Sequence, residues 1–290
     1  MKIRLGGQLL LTVASVAFCI PAMACAQSQE PKEPQQEAQL YSKILPGRSL
    51  KAQPGKVSII ESGADYSYSF KAFQKLPVTL SLAAEQVAID ESAPVSLPAQ
   101  LTGISFGIEA TVPLLHFEKM YWRNKFMPSW YTDNWHPHSS AFRLPVHSLV
   151  IYQPSQTWTW LAGVAVYSDF SQKVFPILGL IYKPDQKLTI ALVPEQPTIS
   201  YALCDRVTLF GTGGISSREF EVTKDGLKGV KLQYAQSYAG AGVAFKVNKA
   251  LKASLSSGYT FKRYLKYGDS LGKVDIKNGL YTEVSLGALF

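Results

Sequence analysis

The chain has little cysteine, no apolar run long enough for a membrane helix beyond its first residues, and no concentration of charge. Of its three cysteines, Cys19 and Cys25 fall in a segment with the features of an export signal. The mature chain would keep only Cys204 and could form no internal disulfide, which excludes a disulfide-stapled secreted fold. After residue 26 no apolar stretch could cross a bilayer as a helix, leaving either a protein outside the membrane or one that crosses it with strands. The formal net charge of +8 falls to +6 if Lys2 and Arg4 are removed with the signal. The basic residues are scattered, whereas a nucleic-acid surface needs a stripe. A mild positive balance suits contact with anionic lipid headgroups or attraction of anionic solutes into a lumen.

Lys2 and Arg4 precede an apolar run from Leu9 to Ile20, the pattern of a secretory signal. We expect a signal peptide over residues 1–26, cleaved before Gln27 with Ala24 and Ala26 as the small residues. Lipid attachment at Cys25 competes, although Ala22 stands where a larger aliphatic residue is usual. Residues 27–55, rich in Gln, Glu, Pro, Lys and Ser, read as a flexible polar tail. Residues 56–290 then form the ordered domain.

That domain reads as all-β, because alternation recurs between turn signals and helical periodicity never holds. In the last segment Leu280, Thr282, Val284, Leu286, Ala288 and Phe290 share one face, and Tyr281, Glu283, Ser285 and Gly287 the other. Its length suits a tilted outer-membrane strand. The segment from Leu251 to Lys262 alternates equally well and follows one from Ala239 to Val247 across a short turn at Asn248-Lys249-Ala250. Residues 264–278 read as a long charged connection. Further strands are expected over 57–70, 78–89, 104–112, 148–153, 157–170, 174–183, 188–193, 198–203, 206–213, 219–224 and 229–235. Dividing the domain by about 18 to 24 residues per strand and connection, and requiring an even number for antiparallel closure, gives about 12 strands. The 15 Tyr, 14 Phe and 5 Trp fit the aromatic girdles of such a barrel. A soluble β-sandwich is the alternative architecture.

Two resemblances sharpen this expectation. The C-terminal strand ending in Phe290 resembles the signature that barrel-insertion machinery reads in bacterial outer-membrane β-barrels. Phe175-Pro176-Ile177-Leu178-Gly179-Leu180-Ile181-Tyr182, the turn Lys183-Pro184-Asp185, Leu192-Val193-Pro194, Pro197, Ser200-Tyr201 and Leu209-Phe210-Gly211-Thr212-Gly213-Gly214 carry the second. They resemble the central pattern of a bacterial family of uncharacterised outer-membrane barrel proteins, a domain of unknown function. The resemblance implies a barrel over roughly residues 55–290, located in the bacterial outer membrane among its lipids, and no assigned reaction, cofactor or catalytic residue.

Chemically suggestive residues are few. His136 and His138 near Asp133 are suitable metal ligands, but Pro137 separates them and no second pair lies at diagnostic spacing. The surrounding residues 119–143 read as a loop whose Trp122, Trp130, Tyr131 and Trp135 anchor it at the membrane interface, fold inward, or stack on a sugar-like ligand. His116 or His147 beside Ser148 would serve a lipid hydrolase only within hydrogen-bond reach of an oriented nucleophile. Gly211 to Gly214 lacks the Lys-Ser/Thr of a phosphate loop, and Pro194 and Pro197 belong at strand ends or bulges. No catalytic, cofactor or metal site is assigned. Three roles follow: a passive channel for small polar solutes, selected by lumen charges such as Glu109, Lys252, Lys262 and Glu283; a plugged structural or anchoring barrel; and a lipid-active enzyme.

Overall fold

The computed structural model describes residues 35–73, 76–92, 96–114, 117–134, 139–167, 173–194, 196–268 and 271–290. They form one antiparallel sheet that closes on itself. Its segments are β1 (Gln35–Ser49), β2 (Lys56–Ala72), β3 (Leu76–Glu91), β4 (Gln100–Pro113), β5 (Met120–Phe126), β6 (Ser129–Thr132), β7 (Phe142–Arg143), β8 (Val146–Tyr152), β9 (Trp158–Val166), β10 (Val174–Tyr182), β11 (Leu188–Leu192), β12 (Thr198–Cys204), β13 (Val207–Lys224), β14 (Leu227–Lys246), β15 (Leu251–Tyr267), β16 (Lys273–Asp275) and β17 (Gly279–Leu289). β5 runs on into β6 along the same partner, β4, and β7 runs on into β8 along the β5–β6 strand. β16 and β17 likewise share β15. Counting each interrupted pair once gives a barrel of 14 strands, closed where β1 pairs with β17 from Glu37↔Leu289 to Ile44↔Thr282.

The sequence expectation of about 12 strands is corrected at three places. Residues 35–49, expected within the polar tail, are β1, a full member of the wall. Residues 119–143, expected as one loop, supply β5, β6 and β7. The connection expected over 264–278 is shorter, because β15 extends to Tyr267 and β16 returns along it. Against these gains, 206–213 and 219–224 fuse into β13, and 229–235 and 239–247 into β14. Closure of β1 on β17 also removes the sandwich alternative. The expected signal segment lies outside the described residues.

The wall is uneven in height. β13 and β14 run for 18 and 20 residues, whereas β11 has five. Above the short strands β9 to β12 the ring closes by a shortcut. Glu221 of β13 pairs with Thr132 of β6 in the sheet's one parallel bridge among the described residues. The Asp133 amide donates to the Glu221 carbonyl at 3.0 Å, and the Thr223 amide donates to Asp133 Oδ2 at 2.8 Å. Arg143 and Glu219 add an ion pair at 2.8 Å.

The strand pleat sends mostly apolar side chains out, the reverse of a water-soluble barrel, and both polar and apolar ones in. Leu40, Leu82, Ile104, Trp160, Leu178 and Leu255 point outward from different strands and are all more than a third exposed. Exposed apolar surface this continuous is costly in water and favourable in lipid. Trp158 stacks on Trp160 at 6.1 Å and packs on Tyr182 at 4.2 Å, placing an aromatic cluster on that outer face.

Inside, glycine makes room for tyrosine. Tyr281, almost fully buried, lies over Gly258, its directly paired neighbour on β15, and over Gly240 beyond it on β14. A Cβ at Gly258 would collide with the Ala239 carbonyl as well as the ring. Tyr131 covers Gly103 in the same way, where a Cβ would stand 2.5 Å from Cε1. Because the Gly258 collision involves backbone as well as a side chain, Gly258→Ala is expected to cost about 1–3 kcal/mol. The midpoint of urea unfolding in detergent checks this, with Gly226→Ala excluded as a control because Gly226 has φ 80°.

Two turns at the end carrying both termini are held by side chains. Asp185 Oδ1 accepts from the amides of Lys187 and Leu188, both at 2.7 Å, and Asn248 Oδ1 accepts from Ala250 and Leu251 at 2.8 and 2.7 Å. The two amide donors hold the Asp185 carboxyl below the usual carboxylate range. Its stabilising contribution is therefore present above the unfolded-state pKa and disappears as pH falls through the lower folded-state value. Asp185→Asn should remove that acid-side dependence while keeping the turn. Comparing unfolding midpoints of the two proteins between neutral and acid pH tests it.

Candidate functional site

The lumen has two halves of opposite character. Toward the end carrying both termini its β2, β3, β12 and β13 walls are lined by small polar groups that remain half-exposed, among them Ser67, Ser69, Thr79, Ser200, Thr212 and Ser216, while β8 to β11 turn the buried apolar side chains of Ile151, Leu161, Ile181 and Ala191 inward. Ser69 and Thr79 hydrogen-bond to each other across β2 and β3 at 2.9 Å. Charged side chains join them: Glu109 faces Arg123 at 3.4 Å. This half is a water-accessible vestibule.

The opposite half is filled. Leu45, Ile59, Leu101, Phe220, Leu232 and Leu265 are completely buried in one cluster and come from β1, β2, β4, β13, β14 and β15. Those strands lie on different sides of the ring, so the side chains meet across the lumen rather than along the wall. Tyr131 meets Phe220 edge-on at 5.4 Å between β6 and β13. Over this seal the loop between β3 and β4 is held down, with the Ser96 carbonyl accepting from Tyr267 Oη at 2.8 Å and Lys224 Nζ at 3.1 Å.

A layer of buried polar groups separates the seal from the vestibule. Glu61 on β2 accepts from Tyr234 Oη at 2.5 Å and Gln236 Nε2 at 2.6 Å, both on β14, and pairs with Lys43 at 3.8 Å. Lys43 also lies 4.6 Å from the Tyr238 ring centre and 4.8 Å from that of Tyr281. Farther round, Arg218 of β13 meets Glu85 of β3 at 2.7 Å. Neither β2 and β14 nor β3 and β13 are neighbours in the sheet, so these contacts brace the barrel internally. A buried carboxylate is tolerable only with such partners.

The sequence-derived candidates divide. Glu283 and Glu109 face the lumen as expected, Glu283 close enough to feel Lys43. Lys262 does not. It sits exposed at a bulge with φ 47°, after which Arg263 and Leu265 take the inward positions. Lys252 is exposed at the vestibule end, opposite Lys246. His147 and Ser148 are adjacent on β8 and so point to opposite faces. His147 lies inside, with its ring 5.2 Å from that of Tyr167, whereas Ser148 lies outside, accepting from Trp122 Nε1 at 3.0 Å and donating to Asn124 at 2.9 Å. The hydrolase pairing of these two is thus geometrically broken. Trp122 and Trp130 face outward, while Tyr131 packs inside. Asp133 is engaged with Thr223 and, at 2.7 Å, with the Asn134 side chain. His116, Trp135, His136 and His138 lie outside the described residues. Gly211 to Gly214 lie in the middle of β13, and Pro194 and Pro197 lie between β11 and β12. Cys204, exposed, ends β12 unpaired.

The residues that sequence reasoning missed are Lys43, Glu61, Glu85, Arg218 and Tyr234. The signal for Glu61 and Glu85 was their parity, since each occupies the inward phase of an alternating strand. Lys43 was hidden by the assignment of its segment to the tail.

No protein-family model and no curated protein sequence matches the chain. Solved structures similar to it are bacterial outer-membrane β-barrels. The translocator domain of the autotransporter NalP from Neisseria meningitidis is 10% identical, with 90% of each chain covered and a TM-score of 0.41. A mutant of the TodX monoaromatic hydrocarbon channel is 10% identical over 94% of this chain and 95% of that one, with a TM-score of 0.47. A Pseudomonas aeruginosa FadL homologue is 9% identical over 89% and 90%, with a TM-score of 0.46.

Removing Glu61 takes the shared acceptor from buried Tyr234 and Gln236 and leaves Lys43 with Glu283, its paired neighbour on β17, as the nearby carboxylate. Glu61→Ala is expected to cost about 3–5 kcal/mol, and adding Lys43→Met to it should recover little of that loss, because Tyr234 and Gln236 stay without their acceptor and Glu283 loses its cation. Urea unfolding of the single and double variants measures both.

Proposed function

We propose that the chain is an outer-membrane β-barrel with a blind lumen, acting as a plugged structural or anchoring barrel. Support for the membrane comes from the outward apolar face and its aromatic cluster, which a lipid environment accommodates and water does not. The observation that carries the sealed reading is the cluster of completely buried apolar side chains that meets across the lumen from six strands. A column of water cannot pass through close-packed apolar side chains, so a solute entering the vestibule reaches a wall. In this reading the termini end faces the periplasm and outer-membrane lipids surround the wall. The C-terminal strand serves as the insertion signal.

The polar vestibule favours a second reading, a channel for small polar solutes whose seal must be displaced before it conducts. Planar-bilayer recording separates passive from sealed. The mature chain is refolded in detergent, and only material whose gel mobility changes on boiling is used. The expected result is a folded but electrically silent protein. Reproducible unitary current steps from the unmodified chain would sink the blind-lumen reading and restore the passive channel.

A further inference from the structure

Two arginines in the sealed half have guanidinium N–H groups with no hydrogen-bond acceptor among the described residues, and the negative charge near Arg263 is that of Glu61, which other partners already hold. Arg263, just past the bulge in β15, is completely buried. Its Nη2 makes one long hydrogen bond, 3.5 Å to the Lys277 carbonyl, and its Nε and Nη1 have no hydrogen-bond partner among the described residues. Arg48, half-buried at the bulge near the end of β1, lays its side chain over Gly279, where any Cβ would collide with it. Its Nε is likewise buried without a partner among the described residues. Both side chains therefore converge on the short break between β16 and β17, Ile276 to Asn278, Arg263 at the Lys277 carbonyl and Arg48 over Gly279, the first residue of β17. They are near enough for their charges to oppose each other.

The carboxylates that could offset them are committed elsewhere. Glu61 is held by Tyr234, Gln236 and Lys43, and Glu85 by Arg218. Arginine does not escape by losing its proton. An uncompensated buried guanidinium costs several kcal/mol, and a second one alongside makes matters worse. Water can fill the unused N–H positions but supplies no opposite charge. A planar guanidinium fork matches the paired oxygens of phosphate, sulfate or carboxylate, and two forks facing one space suit an ion with several such oxygens.

We propose that Arg48 and Arg263 form a buried binding site for one small dissolved oxyanion of the phosphate and sulfate class. The bound ion would tie β1 to β15 and to the β16–β17 break from within the barrel. It is distinct from the Glu61 and Glu85 braces, and it does not depend on whether the lumen conducts.

Equilibrium dialysis of inorganic phosphate against the folded full-length mature chain, in a neutral detergent free of phosphate, tests the site. Saturable retention of about one phosphate per chain is expected, together with a higher unfolding temperature than in chloride of equal ionic strength. Arg263→Met should abolish both effects, and Arg48→Met should weaken retention by about tenfold. Should Arg263→Met fail to fold, Arg48→Met, at the edge of the site, carries the test. No saturable retention by folded wild type, or retention unchanged in the variants that fold, overturns the proposal. An equal thermal shift in chloride would reveal only general screening and also overturns it. Displacement of the phosphate by phospholipid added in mixed micelles would place the site within reach of the bilayer and overturn the dissolved-ion assignment.

Discussion

The pairing of β1 with β17 is the constraint on which everything else rests. In a lipid environment an unpaired backbone N–H or C=O has no water to turn to, and each one costs several kcal/mol. A sheet with two open edges would present two rows of such groups. Eight matched residue pairs between β1 and β17 remove both rows at once. Closure then dictates the pleat, since every residue of every strand must point either to the lumen or to the outside. The outward phase can be mostly apolar because the inward phase takes Lys43, Glu61, Glu85 and Arg218.

Those inward charges bring a second constraint. A barrel of this circumference has more interior than the side chains of adjacent strands can fill, so its walls must be held either by water or by contacts across the lumen. This chain uses both, at different heights. Water serves the Ser- and Thr-lined vestibule. Higher up, β13 meets β6 through Glu221↔Thr132 and bypasses the short strands, which reduces the cross-section until apolar side chains from opposite sides touch. The Glu61 and Arg218 contacts lie where one regime gives way to the other. They satisfy buried polar groups and also set the distance between walls that share no hydrogen-bond ladder.

Much of this was legible in the residues. The face assignments of 251–261 and 280–290 follow from alternation alone, and the structure keeps them. The inward placement of Glu109 and Glu283 follows from the same rule, because a carboxylate facing lipid would be costly. The turn at 248–250 was legible too. What failed were segments whose composition masked their pattern. Gln35 to Ser49 is polar enough to resemble a tail, yet its outward phase holds Leu40 and Ile44, and an edge that must be closed can recruit a strand on backbone pairing more than on side chains. The break placed between 224 and 229 was a hairpin in plain view. Asp225 and Gly226 have φ 50° and 80°, the conformation that Asp-Gly adopts in a two-residue turn, and they join β13 to β14 directly.

Parity is also where sequence reasoning meets its physical limit. Alternation assigns a face only while the register is unbroken, and one extra residue inverts every assignment beyond it. At Lys262 that inversion turns a predicted lumen charge into an exposed one and brings Arg263, Leu265 and Tyr267 inside. The bulge in β1 between Leu45 and Arg48 disturbs the facing strand at a comparable height. A bulge in a regular wall has a local cost, and a strand free of bulges would have kept Lys262 inward and Arg263 out. Both irregularities occur where the vestibule has ended and the seal begins. Their common effect is to place guanidinium groups in the interior of a region otherwise built from Leu, Ile, Val, Phe and Tyr. Packing alone gives no reason for that choice, since an apolar side chain would fill the same volume without the desolvation of a charge.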